Sequence, residues 1–242
     1  MSGRDTMLLY GRNSVYERLK AKPRTVRHVF LQDGIELPHI EKLARKNHIS
    51  VERMSPRQLS KMKHTKDLQG VVAKVDKFNY TEFDDIVNDK KLTLIFLDRL
   101  NDPQNLGVIV RIAACFGGFA IVIPKFNACE VTEAVMHVAS GGENFVPVSM
   151  VSNVSSAILK AKKNGYWIMG AVLSDDAQDI DKVSIPFPLG IVMGSEGEGV
   201  RYGIDKQLDI KARIPMRGAK LSFNVAMACA IFCHEISNRR KK

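Results

Sequence analysis

At 242 residues, with 45% apolar and 26% charged residues, the chain has the composition of a folded domain or pair of domains with a substantial core. No apolar stretch approaches the roughly 20 residues of a membrane span, and MSGRDTMLLYGRNS at the N-terminus lacks the apolar core of a secretory signal, so a cytoplasmic protein is expected. The net charge of +10 is unevenly placed: residues 1–77 hold 17 Lys and Arg against 8 Asp and Glu, and residues 78–242 hold 19 against 18. A basic first third beside a neutral remainder points to a polyanion-binding module, with a solvated basic face as the alternative. The basic residues are spread over several elements rather than one amphipathic helix, which argues against a membrane-surface role.

In chain order, residues 13–21 (NSVYERLKA) read as a short helix capped by Asn13, and 25–32 (TVRHVFLQ) as a strand. Residues 38–48 are helical, 49–54 a strand, and 55–63 a helix with Ser55 as cap and Pro56 in its first turn. After Gly70, residues 71–77 alternate as a strand. This basic α/β unit, residues 1–77, presents Arg12, Arg24, Arg27, Arg53, Arg57, Lys61, Lys63 and Lys66 as candidates for phosphate contact. Residues 78–91 (FNYTEFDDIVNDKK) turn acidic and polar and read as a linker. Beyond it, strands at 92–98, 119–124, 144–150, 166–173, 189–194 and 208–214 alternate with helices at 105–117, 132–140, 154–165 and 222–238. That alternation implies a mostly parallel sheet covered on both faces.

Four cysteines, Cys115, Cys129, Cys229 and Cys233, have no zinc spacing, and the six histidines form no ligand pair, so no metal is expected. Cys229 and Cys233, one helical turn apart in an apolar run, read as buried free thiols. Asp175, Asp176, Asp179 and Asp181 read as a solvated loop.

Three stretches stand out. In IVMGSEGEGV (191–200) an apolar strand ends in Gly194 and opens a glycine-rich loop, where backbone can approach a ligand closely. Gly194 and Gly199 have the spacing of a phosphate-binding loop, but Val200 and Arg201 stand where Lys and Ser or Thr should follow. In LDRLNDPQNLGVIVR (97–111) a strand and a turn lead to a helix with Asn105 at its start. Arg111 lies further along, one turn from Gly107, and could reach the carboxyl edge of the sheet or form a structural pair with Asp98 or Asp102. In ARIPMRGAKLSFNVAMACAIF (212–232), Ser222 and Asn224 open a buried helix, either as simple caps or as site residues. Ala226, Ala228 and Ala230 suit that helix to close packing against another backbone.

Together these stretches, in this order, resemble the motifs of the SpoU-type (TrmH-like) ribose 2′-O-methyltransferases of the SPOUT superfamily, and ASGGENFVPV (139–148) resembles a further family segment. YGRNSVYERL (10–19) and LQGVVAKV (68–75) resemble the N-terminal RNA-binding domain of the large-subunit (23S) rRNA guanosine 2′-O-methyltransferases. The resemblance implies a small α/β RNA-binding domain, a linker at 78–91, and at 92–242 an α/β domain closed by a deep trefoil knot that binds S-adenosylmethionine and pairs as a homodimer. Carried over by residue, Gly194, Ile214, Met216 and Phe223 are cofactor positions, and Asn105, Arg111, Glu196, Ser222 and Asn224 are catalytic-site positions. Phe223 stands where Leu is commoner and Ala226 where Ser is commoner. The implied reaction is in-line methyl transfer to a ribose 2′-hydroxyl, with Arg111 as base or, since arginine stays protonated, as stabiliser of the developing alkoxide. The rival readings are a tRNA substrate, or a non-catalytic RNA-binding dimer that keeps the knot as a scaffold.

Overall fold

A computed structural model describes residues 6–195, 197–219 and 221–240. The chain divides into two compact units: Met1–Asn79 with Val131–Phe145, and Tyr80–Glu130 with Val146–Lys242. In order, the first part of the chain forms β1 (Thr6–Tyr10), α1 (Arg12–Ala21), β2 (Val26–Gln32), α2 (Pro38–Lys46), β3 (Val51–Met54), α3 (Pro56–Met62) and β4 (Val71–Asp76). There follow α4 (Phe83–Asn88), β5 (Thr93–Leu97), α5 (Pro103–Phe116), β6 (Phe119–Pro124), α6 (Glu133–Ala139), β7 (Val148–Val151), α7 (Val154–Lys163) and β8 (Trp167–Ala171). The chain ends with β9 (Gln178–Asp179), β10 (Leu189–Met193), α8 (Tyr202–Asp205), β11 (Ile210–Arg213) and α9 (Val225–Arg239).

The first unit is a four-stranded sheet in the order β1-β4-β2-β3, with β4 antiparallel to both neighbours and β2 parallel to β3. Its strands alternate, so Leu9, Val29, Leu31, Val71, Ala73 and Val75 turn inward and are fully buried. Ser55 closes the start of α3 with a capping box: its side chain accepts from the Gln58 amide, and the Gln58 side chain accepts from the Ser55 amide. At α1 it is Gly11, not Asn13, that stands at the N-cap, and the helix starts two residues earlier than a cap at Asn13 implies.

The segment Val131–Phe145 folds into this first unit, although the sequence places it among the later elements. A Glu133 carboxylate oxygen accepts from the Leu8 amide at 2.5 Å, Ser14 donates to the Met136 carbonyl at 3.3 Å, and His137 stacks on Tyr10 with ring centres 4.3 Å apart. Beneath them Arg18 donates to Glu143 at 3.1 Å, the two side chains being 5% and 0% exposed. Burial pushes the Glu143 carboxyl up, and the Arg18 charge opposes that rise.

The second unit is a seven-stranded sheet in the order β7-β6-β5-β10-β8-β11-β9, every adjacent pair parallel. The central strands are apolar on both faces, as a sheet covered on both sides requires: Leu94, Ile95 and Phe96 on β5 and Ile191 and Val192 on β10 are fully buried. Residues 78–91 are not a free linker. α4 lies within them, and its Ile86 and Val87 are buried in the second unit's core with Phe96, Ala157 and Ile158. The Asp175–Asp181 stretch likewise does more than face solvent, since Asp179 belongs to β9 and accepts from Arg213 Nε at 2.9 Å, while Asp176 pairs with Lys211 at 3.0 Å. α5 begins at Pro103 with Asp102 as its cap, so Asn105 lies within its first turn. Cys229 and Cys233 are buried free thiols with sulfurs 3.8 Å apart, and the hydrogen bond with Cys233, together with burial, pushes the Cys229 thiol up.

Candidate functional site

Three strands of the large sheet, β10, β8 and β11, deliver their carboxyl ends to one cavity of about 830 Å³, a volume in the range of small-molecule sites. Its floor is Met193 and Ala171. Its walls are the loop after β10, the loop after β11 and the start of α9. The loop after β10 is folded on itself, with the amides of Ser195 and Gly199 each donating to the other's carbonyl at 3.1 Å. Gly194 sits under this closure. A Cβ there would lie 2.1 Å from the Gly199 carbonyl carbon and 2.4 Å from the Val200 nitrogen, closer than any side chain can approach backbone. The sequence requires glycine at 194 because the loop's own main chain occupies the space. Lining the cavity are Gly194, Ile214, Met216, Ser222, Phe223 and Asn224, so all four expected cofactor positions and two of the expected catalytic ones meet here.

α9 is set against α5 by a side-chain pair 119 residues apart in sequence: Asn224 Nδ2 donates to Asn105 Oδ1 at 3.0 Å. Asn224 also caps α9, its Oδ1 accepting from the Ala226 amide at 2.8 Å, so the cap reading and the site reading both hold for this residue. Ser222 lies in the exposed approach to the helix. Arg111 is on the exposed side of α5 and is not among the described residues lining the cavity. Glu196 lies outside the described residues. Of the carboxylates suggested as structural partners for Arg111, Asp98 receives both Nε (2.7 Å) and Nη2 (2.5 Å) of Arg201, and Asp102 accepts from the Gln104 amide. Asp98 is 1% exposed, and its hydrogen bonds raise the Arg201 guanidinium above its ordinary value.

Residues 92–234 match the model of the SpoU rRNA methylase family, and residues 8–81 match that of the RNA 2′-O ribose methyltransferase substrate-binding domain. The chain belongs to the SpoU family. A Staphylococcus saprophyticus protein assigned to the TrmH family of tRNA/rRNA methyltransferases is 32% identical over 98% of this chain and 97% of its own. YacO of Bacillus subtilis, assigned to the same family, is 31% identical over 95% of this chain and 94% of its own. In fold the chain is similar to the SpoU methyltransferase AviRb of Streptomyces viridochromogenes, with TM-score 0.82 at 20% identity over 97% of this chain and 90% of that one. AviRb has also been solved with the cofactor AdoMet, at TM-score 0.81 with the same coverage. The chain is thus an RNA methyltransferase of the SpoU/TrmH family.

In this SpoU protein the basic candidates of the first unit divide into two groups. Arg24, Arg57, Lys61 and Lys66 are exposed, and Arg12, also exposed, donates its Nε to the Gln69 carbonyl. Arg27 is committed to Asp76, Arg53 to Glu41 at 2.5 Å, and Lys63 to Glu133 while lying over the Tyr10 ring. Three carboxylate–guanidinium pairs were not evident from the sequence: Asp98–Arg201, Arg99–Glu198 at 2.5 Å and Asp179–Arg213, of which Glu198 and Arg213 line the cavity. Only Arg201 left a signal, standing just beyond the glycine loop where a phosphate loop would carry Ser or Thr. Among the described residues no group of three or more His, Cys, Asp or Glu could hold a metal ion, and no helix is long and apolar enough to cross a membrane.

Proposed function

We propose that the protein is an S-adenosylmethionine-dependent ribose 2′-O-methyltransferase of structured RNA, acting in the cytoplasm on a guanosine of large-subunit rRNA. The observation that carries this reading is the cavity at the carboxyl ends of β8, β10 and β11, with a backbone cradle at Gly194 that admits no Cβ and a rim of Ser222, Phe223 and Asn224. Its size and its mix of main-chain groups with apolar Ile214, Met216 and Phe223 fit a nucleoside-bearing sulfonium cofactor. S-adenosylmethionine supplies an activated methyl group that needs no metal to be transferred. The loops after β10 and β11 hold it through main-chain groups, and insertion of β10 between β5 and β8 supports the knotted closure expected of this fold.

The chain's own residues then have to hold and polarise a weak nucleophile. Arg111 stabilises the charge growing on the 2′-oxygen and clamps the neighbouring phosphate, the role a guanidinium suits better than that of a base. Asn105 and Asn224 fix the start of α9, and with it Ser222 and Phe223, against the cavity. Glu196 orders the pocket from the glycine loop. Arg111 is exposed on α5 rather than lining the cavity, and this supports a site completed by a second copy of the chain. Val108 and Phe116 on α5 and Met227 on α9 are exposed at 38%, 39% and 63%, an apolar face suited to that homodimer. The first unit, whose residues 8–79 fall within the match to a substrate-binding model, supplies the RNA grip, and a folded module of this kind supports rRNA over tRNA.

The test is methyl transfer from labelled S-adenosylmethionine to bulk rRNA and bulk tRNA in separate reactions. Label in rRNA is expected. Label confined to tRNA would overturn the substrate class, and absence of both transfer and cofactor binding would leave the dimer-scaffold reading.

A further inference from the structure

The geometry points to a second site on the same sheet edge: a pocket for one nucleobase of the RNA, separate from the nucleotide whose ribose is methylated. This inference rests on the RNA-methyltransferase reading above and deepens it. The sheet runs β7-β6-β5-β10-β8-β11, and the cofactor cavity occupies the carboxyl ends of the second three of these strands. The carboxyl ends of the first three, β5, β6 and β7, open into a smaller cavity of about 130 Å³ lined by Arg99, Phe126, Asn127, Ser152, Asn153 and Arg201 among others. Carboxyl ends of parallel strands are where open α/β sheets bind ligands. The two cavities share a wall. Glu198 and Val200 face the first, while Arg99, bound to Glu198, and Arg201, next to Val200, face the second.

Its chemistry selects a flat, uncharged, polar-edged ring. The volume admits a ring system but not a whole nucleotide. Both guanidinium groups are already matched by carboxylates, Arg99 by Glu198 and Arg201 by Asp98, so neither stands as a surplus charge in the pocket wall to favour a phosphate. The bidentate Asp98 pair holds the Arg201 guanidinium plane still, and a fixed guanidinium plane is a stacking surface for a base. Phe126 is 64% exposed at the pocket, with the Lys125 ammonium 5.7 Å from its ring centre, a combination common in single-strand binding. Asn127, Ser152 and Asn153 provide hydrogen-bonding groups for a base edge. Arg99 (φ 59°) and Asn127 (φ 56°) are the two non-glycine residues with positive φ described in the second unit, and both line this pocket. Arginine is costly in that conformation, and such strain gathers at functional sites.

Ultraviolet irradiation of the full chain with bulk rRNA and, separately, bulk tRNA, followed by mass spectrometry of the digested protein, is expected to place a nucleotide adduct on the peptide holding Phe126 and Asn127. Phe126→Ala, at a position exposed enough to leave folding intact, is expected to raise KM for RNA about tenfold, within the range of one lost base–aromatic stack. kcat and S-adenosylmethionine affinity should not move. Leu159→Ala, a control at 49% exposure on α7, should leave KM unchanged. Adducts confined to other peptides, or a Phe126→Ala KM within about twofold of wild type, overturn the base pocket. A wild-type chain that forms the Phe126 adduct but transfers no methyl group would keep this site while sinking the proposed reaction, so the two failures separate.

Discussion

The loop after β10 and the segment after β6 leave the same edge of one sheet, and they are held by opposite means. Main chain builds the first: Ser195 and Gly199 exchange amide hydrogen bonds over Gly194, with no room for a Cβ. Side chains hold the second, through the buried Arg18–Glu143 pair, the Glu133 carboxylate on the Leu8 amide and the His137–Tyr10 stack. A site made of backbone tolerates change in most of its side chains but none in its glycine. A junction made of a buried ion pair depends on both partners, because either one alone is a stranded charge.

The largest effect should come from stranding that charge. Arg18→Ala leaves Glu143, 1% exposed, without its cation and is expected to destabilise the first unit by about 3–5 kcal/mol. Denaturant unfolding would register the loss, while cofactor affinity measured on the folded variant stays at the wild-type value; a stability change under about 1 kcal/mol would show the pair to be incidental. The same junction bears on truncation: removing residues 1–77 also removes the partners of Glu133, His137 and Glu143, so point variants dissect RNA binding more cleanly than deletion. Next comes Gly194→Ala, which must open the loop over the cavity. Calorimetry should show S-adenosylmethionine affinity reduced about 100-fold, near 2.7 kcal/mol, with the unfolding midpoint of the first unit unmoved. Affinity within a few fold of wild type would mean that the cradle is not the binding surface.

Asn224→Ala removes a helix cap together with the link to Asn105, so a loss of about 1 kcal/mol in stability is expected, along with weakened methyl transfer. Unchanged activity would reduce Asn224 to a cap. The smallest effect is one of pH. Burial raises the Glu143 carboxyl above its ordinary 4.5, so the folded protein holds this proton more tightly than the unfolded chain does. Its stabilising contribution is therefore complete below pH 4.5 and is lost as pH rises through the raised native value. Measured against Glu143→Gln, wild-type stability should decline with rising pH in that window. A difference that grows with pH would mean that the Arg18 charge outweighs burial.

Much of the region around the larger cavity was legible because its signals are local. A strand ending in glycine, a dense run of further glycines and a Pro-turn-helix sequence each declare themselves within a few residues, while Gly194, Ile214, Met216, Phe223, Ser222 and Asn224, assigned through the family resemblance, line one cavity. Contacts over long sequence separation were not legible. Nothing local in the sequence pairs Asn105 with Asn224, which only the family resemblance grouped in one site, or marks Arg18 as a buried arginine, since arginine by itself reads as surface. β1 was missed because five residues behind a charged terminus carry little pattern, and α4 because Ile86 and Val87 are its only fully buried apolar residues in a polar stretch. The Asp175–Asp181 stretch looked like solvated loop for the same reason: its partners Arg213 and Lys211 arrive more than 30 residues later.

The most direct test of the account joins the reaction to Arg111. Bulk rRNA treated with labelled S-adenosylmethionine and either wild-type protein or Arg111→Ala would be hydrolysed with alkali and examined for labelled dinucleotides that resist cleavage, the mark of a blocked 2′-hydroxyl. The account predicts such dinucleotides with wild type and a loss of at least about 100-fold with Arg111→Ala, in the range of removing one transition-state donor, with cofactor affinity retained. Label that is wholly alkali-labile would place the methyl group elsewhere than on the ribose, and an Arg111→Ala protein as active as wild type would remove Arg111 from the chemistry.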